Sequence, residues 1–381
     1  MASASKSEGR APKGEGSVRQ REDGRWEARF TSDGKRRSVF ATTEAKAKTA
    51  LRKALGKRDD GLLVTGTNQT VDKYLHHWLE DCAKQSVRSR TYECYELAIR
   101  RVVPHIGKAR LQALTPAQVQ KTYSALLDRG LSRRTVQLTH VVLHHALKQA
   151  LNWGQIARNP TDAVSAPRPE RKEMQVLSQQ QVEQLFATSR EDRLYALWVT
   201  LTTAGLRIGE ALGLRWSDVD FTSRQVAIQR SLQYRPPVGF SFVEPKTSRS
   251  RRTVVFPPST VQALREHRLR QVAERLQAGP AWTDGELVFC NQIGQPLNAS
   301  STVLDAFRRA LARAGLPKIR LHDLRHTAAT LLLSQGCHPK YVQDLLGHST
   351  IALTLDTYSH VVPALHGEAT DKMEGLFAGK I

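Results

Sequence analysis

The sequence predicts an α+β chain that is mostly α, with one small sheet near its start and another in its last third. Three observations predict it. Residues 16–40 alternate apolar and polar positions in short runs separated by two Asp-Gly pairs, the pattern of three strands joined by tight turns. Residues 69–157 repeat apolar positions at three- and four-residue steps, the period of helices. From residue 174 onward the helical period returns, broken once by the strand-like stretch between Gln225 and Phe256.

Residues 1–15, MASASKSEGRAPKGE, are small, polar and basic, and are expected to form a disordered tail. Residues 16–66 then give strands at Ser17–Arg21, Trp26–Phe30 and Arg36–Phe40, followed by an Ala- and Lys-containing helix from Thr43 to about Arg58. Within 67–160 four helices are expected, at Thr70–Lys84, Ser89–Val103, Thr115–Arg129 and Ser132–Trp153. Thr115 with Gln118 and Ser132 with Thr135 open two of them as caps. Asn159-Pro160, Pro167 and Pro169 mark a linker over 161–173. The last segment, 174–381, begins with a helix at Gln179–Thr188, capped by Ser178 and Gln181, and a second from about Asp192 to Thr203. A β-hairpin is expected to join Phe240–Val243 to Thr253–Phe256 with Lys246 at its mouth. Long helices follow at Pro258–Gln277 and about Ser300–Ala314.

Composition narrows the function. Across 381 residues, 57 Lys and Arg against 36 Asp and Glu leave a net charge of +21, which points to a polyanionic partner. The charge is densest ahead of the linker. No apolar run is long enough to span a bilayer and no secretory leader opens the chain, so a cytoplasmic protein is expected. Cys82, Cys94, Cys290 and Cys337 are scattered without CxxC pairs, which suits a reducing compartment.

The chemistry-bearing residues gather in the last segment. In LHDLRHTAATLLLSQGCHPKYVQDLLGHSTIALTLDTYSH, Leu321 to His360, His322 and Arg325 stand three apart at a helix start and project together. Gly336 stops that helix, Pro339 opens a second, His348 follows its end, and Ile351–Tyr358 forms a third that finishes on a tyrosine. His322 and His326 also have the spacing of the zinc motif HExxH, but Asp323 stands where that chemistry needs Glu, and no obvious third ligand follows within the next dozen residues. Upstream, TTAGLRIGEALGLRWSD sets Arg207 directly after a Gly205 turn, at the start of a short helix whose interior Glu210 is expected to orient its neighbours.

The ordered set Arg207, Lys246, His322, Arg325, His348 and Tyr358 resembles that of the tyrosine recombinases, the phage-integrase family. AGLRIGEALGLRW, HDLRHTAAT and LGHSTIALTLDTYSH stand for its boxes with no substitution. The resemblance runs from about residue 69 to 375. It implies a DNA strand-exchange enzyme that needs no metal, nucleotide or other cofactor. Residues 16–66 resemble the arm-type DNA-binding domain of three-domain integrases, 67–160 the helical core-binding domain, and 174–381 the catalytic domain with its C-terminal tail. Tyr358 is the implied nucleophile, Arg207 and Arg325 the phosphate clamps, Lys246 the general acid, His322 the base and His348 a further donor. Arg19, Arg21, Arg25 and Arg29 on the first sheet, with Arg249 and Arg251 beside Lys246, are implied DNA contacts. The implied partners are double-stranded attachment sites, three further copies in a synaptic homotetramer, and accessory DNA-bending or directionality factors, with no membrane. A type IB topoisomerase-like enzyme is the alternative.

Overall fold

The computed structural model describes residues 16–32, 35–59, 69–170, 174–244 and 251–358. Lys246, Arg249, the expected tail 1–15 and everything after Tyr358 lie outside the described residues. The chain divides into two compact units, Met1–Arg171 and Lys172–Ile381.

In the first unit, β1 (Ser17–Gln20), β2 (Trp26–Ser32) and β3 (Lys35–Ala41) form an antiparallel sheet in the order β1-β2-β3. Arg19 lies opposite Glu27, and Arg29 opposite Ser38. Side chains alternate between faces along a strand, so Ala28 and Phe30 face away from these polar residues and pack with Ala47 and Leu51 of α1 (Glu44–Asp59).

A helical core follows in the same unit. The first expected helix is α2 (Val71–Trp78), a π-helical stretch Leu79–Ala83, and α3 (Lys84–Ser86). Next come α4 (Ser89–Ile106), α5 (Pro116–Asp128) and α6 (Arg133–Asn152). Tyr74, Ile99, Val102, Tyr123, Leu126 and Leu147 pack inside it. The Thr115–Gln118 capping box forms as the sequence indicates, and Ser132 accepts from the Thr135 amide. The expected stop at Val103 is passed by three residues. Pro104 sits in the last turn of α4, where its missing N–H removes a single ladder bond, and the Gly107 amide still reaches the Val103 carbonyl.

The second unit opens with α7 (Gln179–Thr188), α8 (Tyr195–Ala204) and α9 (Ile208–Leu212). Nearly every residue of α8 is buried, and its three threonine hydroxyls donate to carbonyls one turn back. Its Trp198 packs at 5.2 Å from the ring of Phe307 in the centre of the core. Two sheets follow. β4 (Val219–Asp220), β5 (Gln225–Ile228) and β8 (Arg252–Val255) form one, and β6 (Ser231–Arg235) with β7 (Gly239–Val243) the other.

This corrects the expected hairpin. Gly239–Val243 pairs back onto Ser231–Arg235 through the Pro236–Val238 turn, and Arg252–Val255 pairs with Gln225–Ile228, so the strands flanking Lys246 are not each other's partners. SLQYR alternates polar and apolar residues as a strand does, but the proline pair after it reads as a break where the chain in fact reverses.

The unit continues through α10 (Pro258–Ala278), a π-helical stretch Ala299–Val303 and α11 (Leu304–Arg313). It ends with α12 (Asp323–Ser334), α13 (Pro339–Leu346) and α14 (Ile351–Tyr358).

Two of these helices stop on left-handed glycines, and both stops face the site. Gly205 ends α8 at φ +57°, and Gly347 ends α13 at φ +64°. A methyl group on Gly205 would also lie 2.7 Å from Leu346 Cδ2. Gly205→Ala is therefore expected to destabilise the fold by about 1–3 kcal/mol from backbone strain alone. Urea unfolding checks it, and a parental midpoint would show that the turn tolerates a side chain.

Candidate active site

Arg207 is placed by the chain before any ligand arrives. It caps the N-terminus of α9 in extended geometry, two residues past the Gly205 stop. Glu210, three residues on and buried, takes the Arg207 backbone N–H at 3.2 Å and its Nη1 at 2.8 Å. The same carboxylate accepts Arg252 Nη2 at 2.9 Å. Glu210 thus orients its neighbours, as its position in the helix suggests.

Arg325 is 2% exposed. It donates through Nη1 to the Gly205 carbonyl at 2.7 Å and through Nη2 to the Leu346 carbonyl at 2.6 Å. Both acceptors belong to helix C-termini, whose last carbonyls lack partners within the helix. One guanidinium fork thereby fastens the segment carrying Arg207 to the segment carrying His348. Burial, then Arg207 beside it, draws the Arg325 pKa down to about 9, with Glu210 opposing, so the group stays charged at neutral pH.

His322 sits at the N-cap of α12, open on one edge to solvent. Lost solvation, then the charges of His326, Arg325 and Arg207, push its imidazole down to about 4. His348 follows Gly347, with its Nδ1 2.8 Å from Thr354 Oγ1. Burial first, and Arg325 and Arg207 next, push it to about 4 as well. Both imidazoles are neutral at pH 7.

Tyr358 ends α14 fully buried among Ala329, Leu333, Val342 and Leu346. Burial raises its phenol to about 12, with Arg325 pulling the other way. Its hydroxyl lies 2.9 Å from Nδ1 of His326, not of His322. The His322 and His326 rings meet edge to face at 5.0 Å. The sequence reading weighed His326 only as a metal ligand. The available signal was its place one helical turn beyond His322, on the same face. Among the described residues no group of three or more His, Cys, Asp and Glu side chains stands ready for a metal ion.

Of the remaining residues singled out in the sequence, Arg251 pairs with exposed Glu244 at 2.8 Å. On the N-terminal sheet, Arg19 and Arg29 both reach the Glu27 carboxylate at 3.0 Å, and Ser38 donates to it at 2.7 Å. The Arg29 and Ser38 hydrogen bonds hold Glu27 down to about 2. Arg25 pairs with Asp23 at 3.0 Å, and Arg21 lies over the Phe40 ring at 5.4 Å. Arg19 and Arg29 therefore share one face of the sheet through a common carboxylate.

Comparison with known proteins gives concordant matches. The profile described as Phage integrase family matches residues 175–364, and that described as Phage integrase, N-terminal SAM-like domain matches residues 70–127. The chain is 30% identical over 361 residues to a tyrosine recombinase XerC-like protein of Caldanaerobacter subterraneus subsp. tengcongensis, covering 90% of this chain and 92% of that one. It is 28% identical over 431 residues to an integrase of Saccharopolyspora erythraea, covering 97% and 98%. Among solved structures, the Tn1549 transposon integrase in complex with transposon right end DNA superposes with a TM-score of 0.69 at 26% identity, covering 81% of this chain and all of that one.

The neutral histidines have a consequence for stability. An unfolded imidazole takes up its proton near pH 6.5, whereas His322 and His348 in the fold do so near 4. The unfolded state binds more protons between these values, so stability falls as pH drops from about 6.5 towards 4. A His322→Asn/His348→Asn double variant is expected to lose less Tm over that window than the parent. Some slope remains, because buried His267 is depressed in the same direction. Equal slopes in scanning calorimetry would contradict the neutral pair.

Proposed function

Because this chain belongs to the phage integrase family of tyrosine recombinases, we propose that it is the site-specific integrase of a phage or integrative element. It cuts and rejoins double-stranded DNA at its own attachment sites through a 3′-phosphotyrosine ester. The observation that carries this reading is the fork of Arg325, which holds the Arg207 and His348 segments against one guanidinium. The match to an integrase solved with transposon DNA supports the choice of polyanion, as does the charge of +21. The topoisomerase-like alternative is not favoured by these relatives.

In this reading the Tyr358 oxygen attacks phosphorus, the bond to the 5′ oxygen breaks, and the 5′-hydroxyl departs with a proton from Lys246. The ester keeps the bond energy, so a 5′-hydroxyl of another strand reverses the step and releases the tyrosine. Arg207 and Arg325 meet the non-bridging oxygens, where a guanidinium matches phosphate geometry and remains charged. A preorganised donor of this kind contributes about 10²- to 10³-fold in rate. His348 adds a donor, and His322 moves the tyrosine proton, a role commonly contributing about 10²- to 10⁴-fold. The Tyr358 hydroxyl starts from its contact with His326, which attack must exchange for phosphorus.

Residues 16–66 serve as the arm-type reader, with Arg19, Arg21, Arg25 and Arg29 towards DNA. Residues 67–160 grip the core site, 161–173 link, and 174–381 carry out the chemistry, with Arg249 and Arg251 flanking the acid. The active assembly is a homotetramer on two sites, joined through the tail beyond Tyr358 and helped by DNA-bending or directionality factors. It works in the cytoplasm; among the described residues no helix is long and apolar enough to cross a membrane.

A nicked duplex carrying its core site tests the reading. The parent should accumulate a covalent protein–DNA adduct, and Tyr358→Phe should bind the duplex equally but form none. An adduct that persists in the Phe variant would move the nucleophile elsewhere.

A further inference from the structure

Arg252 has no part in the six-residue set, yet it is bound into the site more deeply than Arg207. It opens β8, and its side chain is 8% exposed. Nη2 donates to Glu210 Oε2 at 2.9 Å, and Nε donates to the Leu345 carbonyl at 2.8 Å in the last turn of α13. A methyl group on Gly347 would lie 3.1 Å from its Nη1, so the guanidinium lies directly against the turn that delivers His348.

Two arginines meet one carboxylate here. Glu210 is a single carboxylate with a 6% exposed side chain, and it receives two arginines: Arg252, equally enclosed, and Arg207, whose side chain is 40% exposed. A buried carboxylate must be neutralised by a partner. If Arg207 were the only cation present, that partner would be Arg207, and its charge would be spent inside the protein. With Arg252 supplying the buried counter-charge, the trio keeps one net positive charge. That charge resides on the arginine that faces solvent. The pull on Glu210 follows the same ranking: burial raises its carboxyl, and Arg252 does more than Arg207 to bring it below its ordinary value.

We propose that Arg252 is a positioning residue for strand cleavage: by neutralising Glu210 from the protein side, it leaves the Arg207 guanidinium charged and open towards the scissile phosphate. Through the Leu345 carbonyl it also ties that charge balance to the helix end preceding His348. This rests on the integrase reading, and the test separates the two.

Cleavage of the nicked core-site duplex is measured per folded protein for Arg252→Gln, Arg252→Lys, Glu210→Gln and the Arg252→Gln/Glu210→Gln pair. Arg252→Gln should cleave at least about 10-fold more slowly, as expected when a phosphate donor is weakened. Arg252→Lys, which restores the charge, should recover most of that loss. The decisive variant is the double. Removing the carboxylate as well frees Arg207 again, so the double should cleave about 10-fold faster than Arg252→Gln alone. Because Arg252 and Glu210 touch, their effects on stability can also couple, so the rate is read per folded protein, and a double variant at or below the single overturns the proposal.

A second readout needs no DNA. Inorganic phosphate should raise the Tm of the parent and of Arg252→Lys, raise that of Arg252→Gln less, and raise that of the double as in the parent. If Arg252→Gln fails to fold, the lysine variant carries the test, and loss of its phosphate response overturns the proposal. If the parent forms no adduct, the integrase reading falls, while the phosphate series still decides the role of Arg252. A parent that cleaves alongside variants without the reciprocal pattern refutes the proposal alone.

Discussion

The second unit depends on one buried cation. Arg325 takes a 2% exposed guanidinium into the protein and satisfies it with the Gly205 and Leu346 carbonyls. A charge enclosed to that degree is tolerable only when its donors are matched, and here the match is made with two helix ends whose carbonyls lack donors of their own. The left-handed glycines at those ends turn the chain so that both carbonyls present themselves to the fork. Arg207 and His348 each stand two residues beyond a carbonyl that Arg325 holds. The geometry of the site is therefore a by-product of satisfying one cation.

The remaining electrostatics follow from crowding several cations around that point. Arg207 and Arg252 share the buried carboxylate Glu210, Arg325 adds a third cation beside them, and the histidines nearby are kept neutral by lost solvation and by that surplus. Such a surplus of positive charge attracts an anion. A phosphate beside it adds negative charge and favours protonation of the imidazoles. Tyr358, fully buried and against His326, waits as a neutral phenol.

Much of this was legible in the chain. Ser178 and Thr115 capped their helices as their motifs indicate, α14 runs from Ile351 to Tyr358 as its period requires, and Arg207 follows its glycine turn. Local rules suffice there because each feature is written within about one helical turn. Strand partnership was not legible. Which of β5, β6, β7 and β8 pair is decided between strands, and the alternation of SLQYR announces a strand without naming its partner. Arg252 and His326 were missed for a related reason. Their partners, Glu210 and Tyr358, stand 42 and 32 residues away; spacing puts His326 on the face of His322 but does not reveal its contact with Tyr358.

The claim that Arg325 organises the site by its fork, and not by its charge alone, is tested most directly by the unfolding free energy of Arg325→Lys. Lysine keeps the charge but offers a single ammonium in place of two parallel donors, so at least one helix-end carbonyl loses its partner. Urea unfolding should then show a loss of about 1–3 kcal/mol. A lysine variant that unfolds with the parental free energy would contradict the account, because the two helix ends would then be held together by something other than the guanidinium.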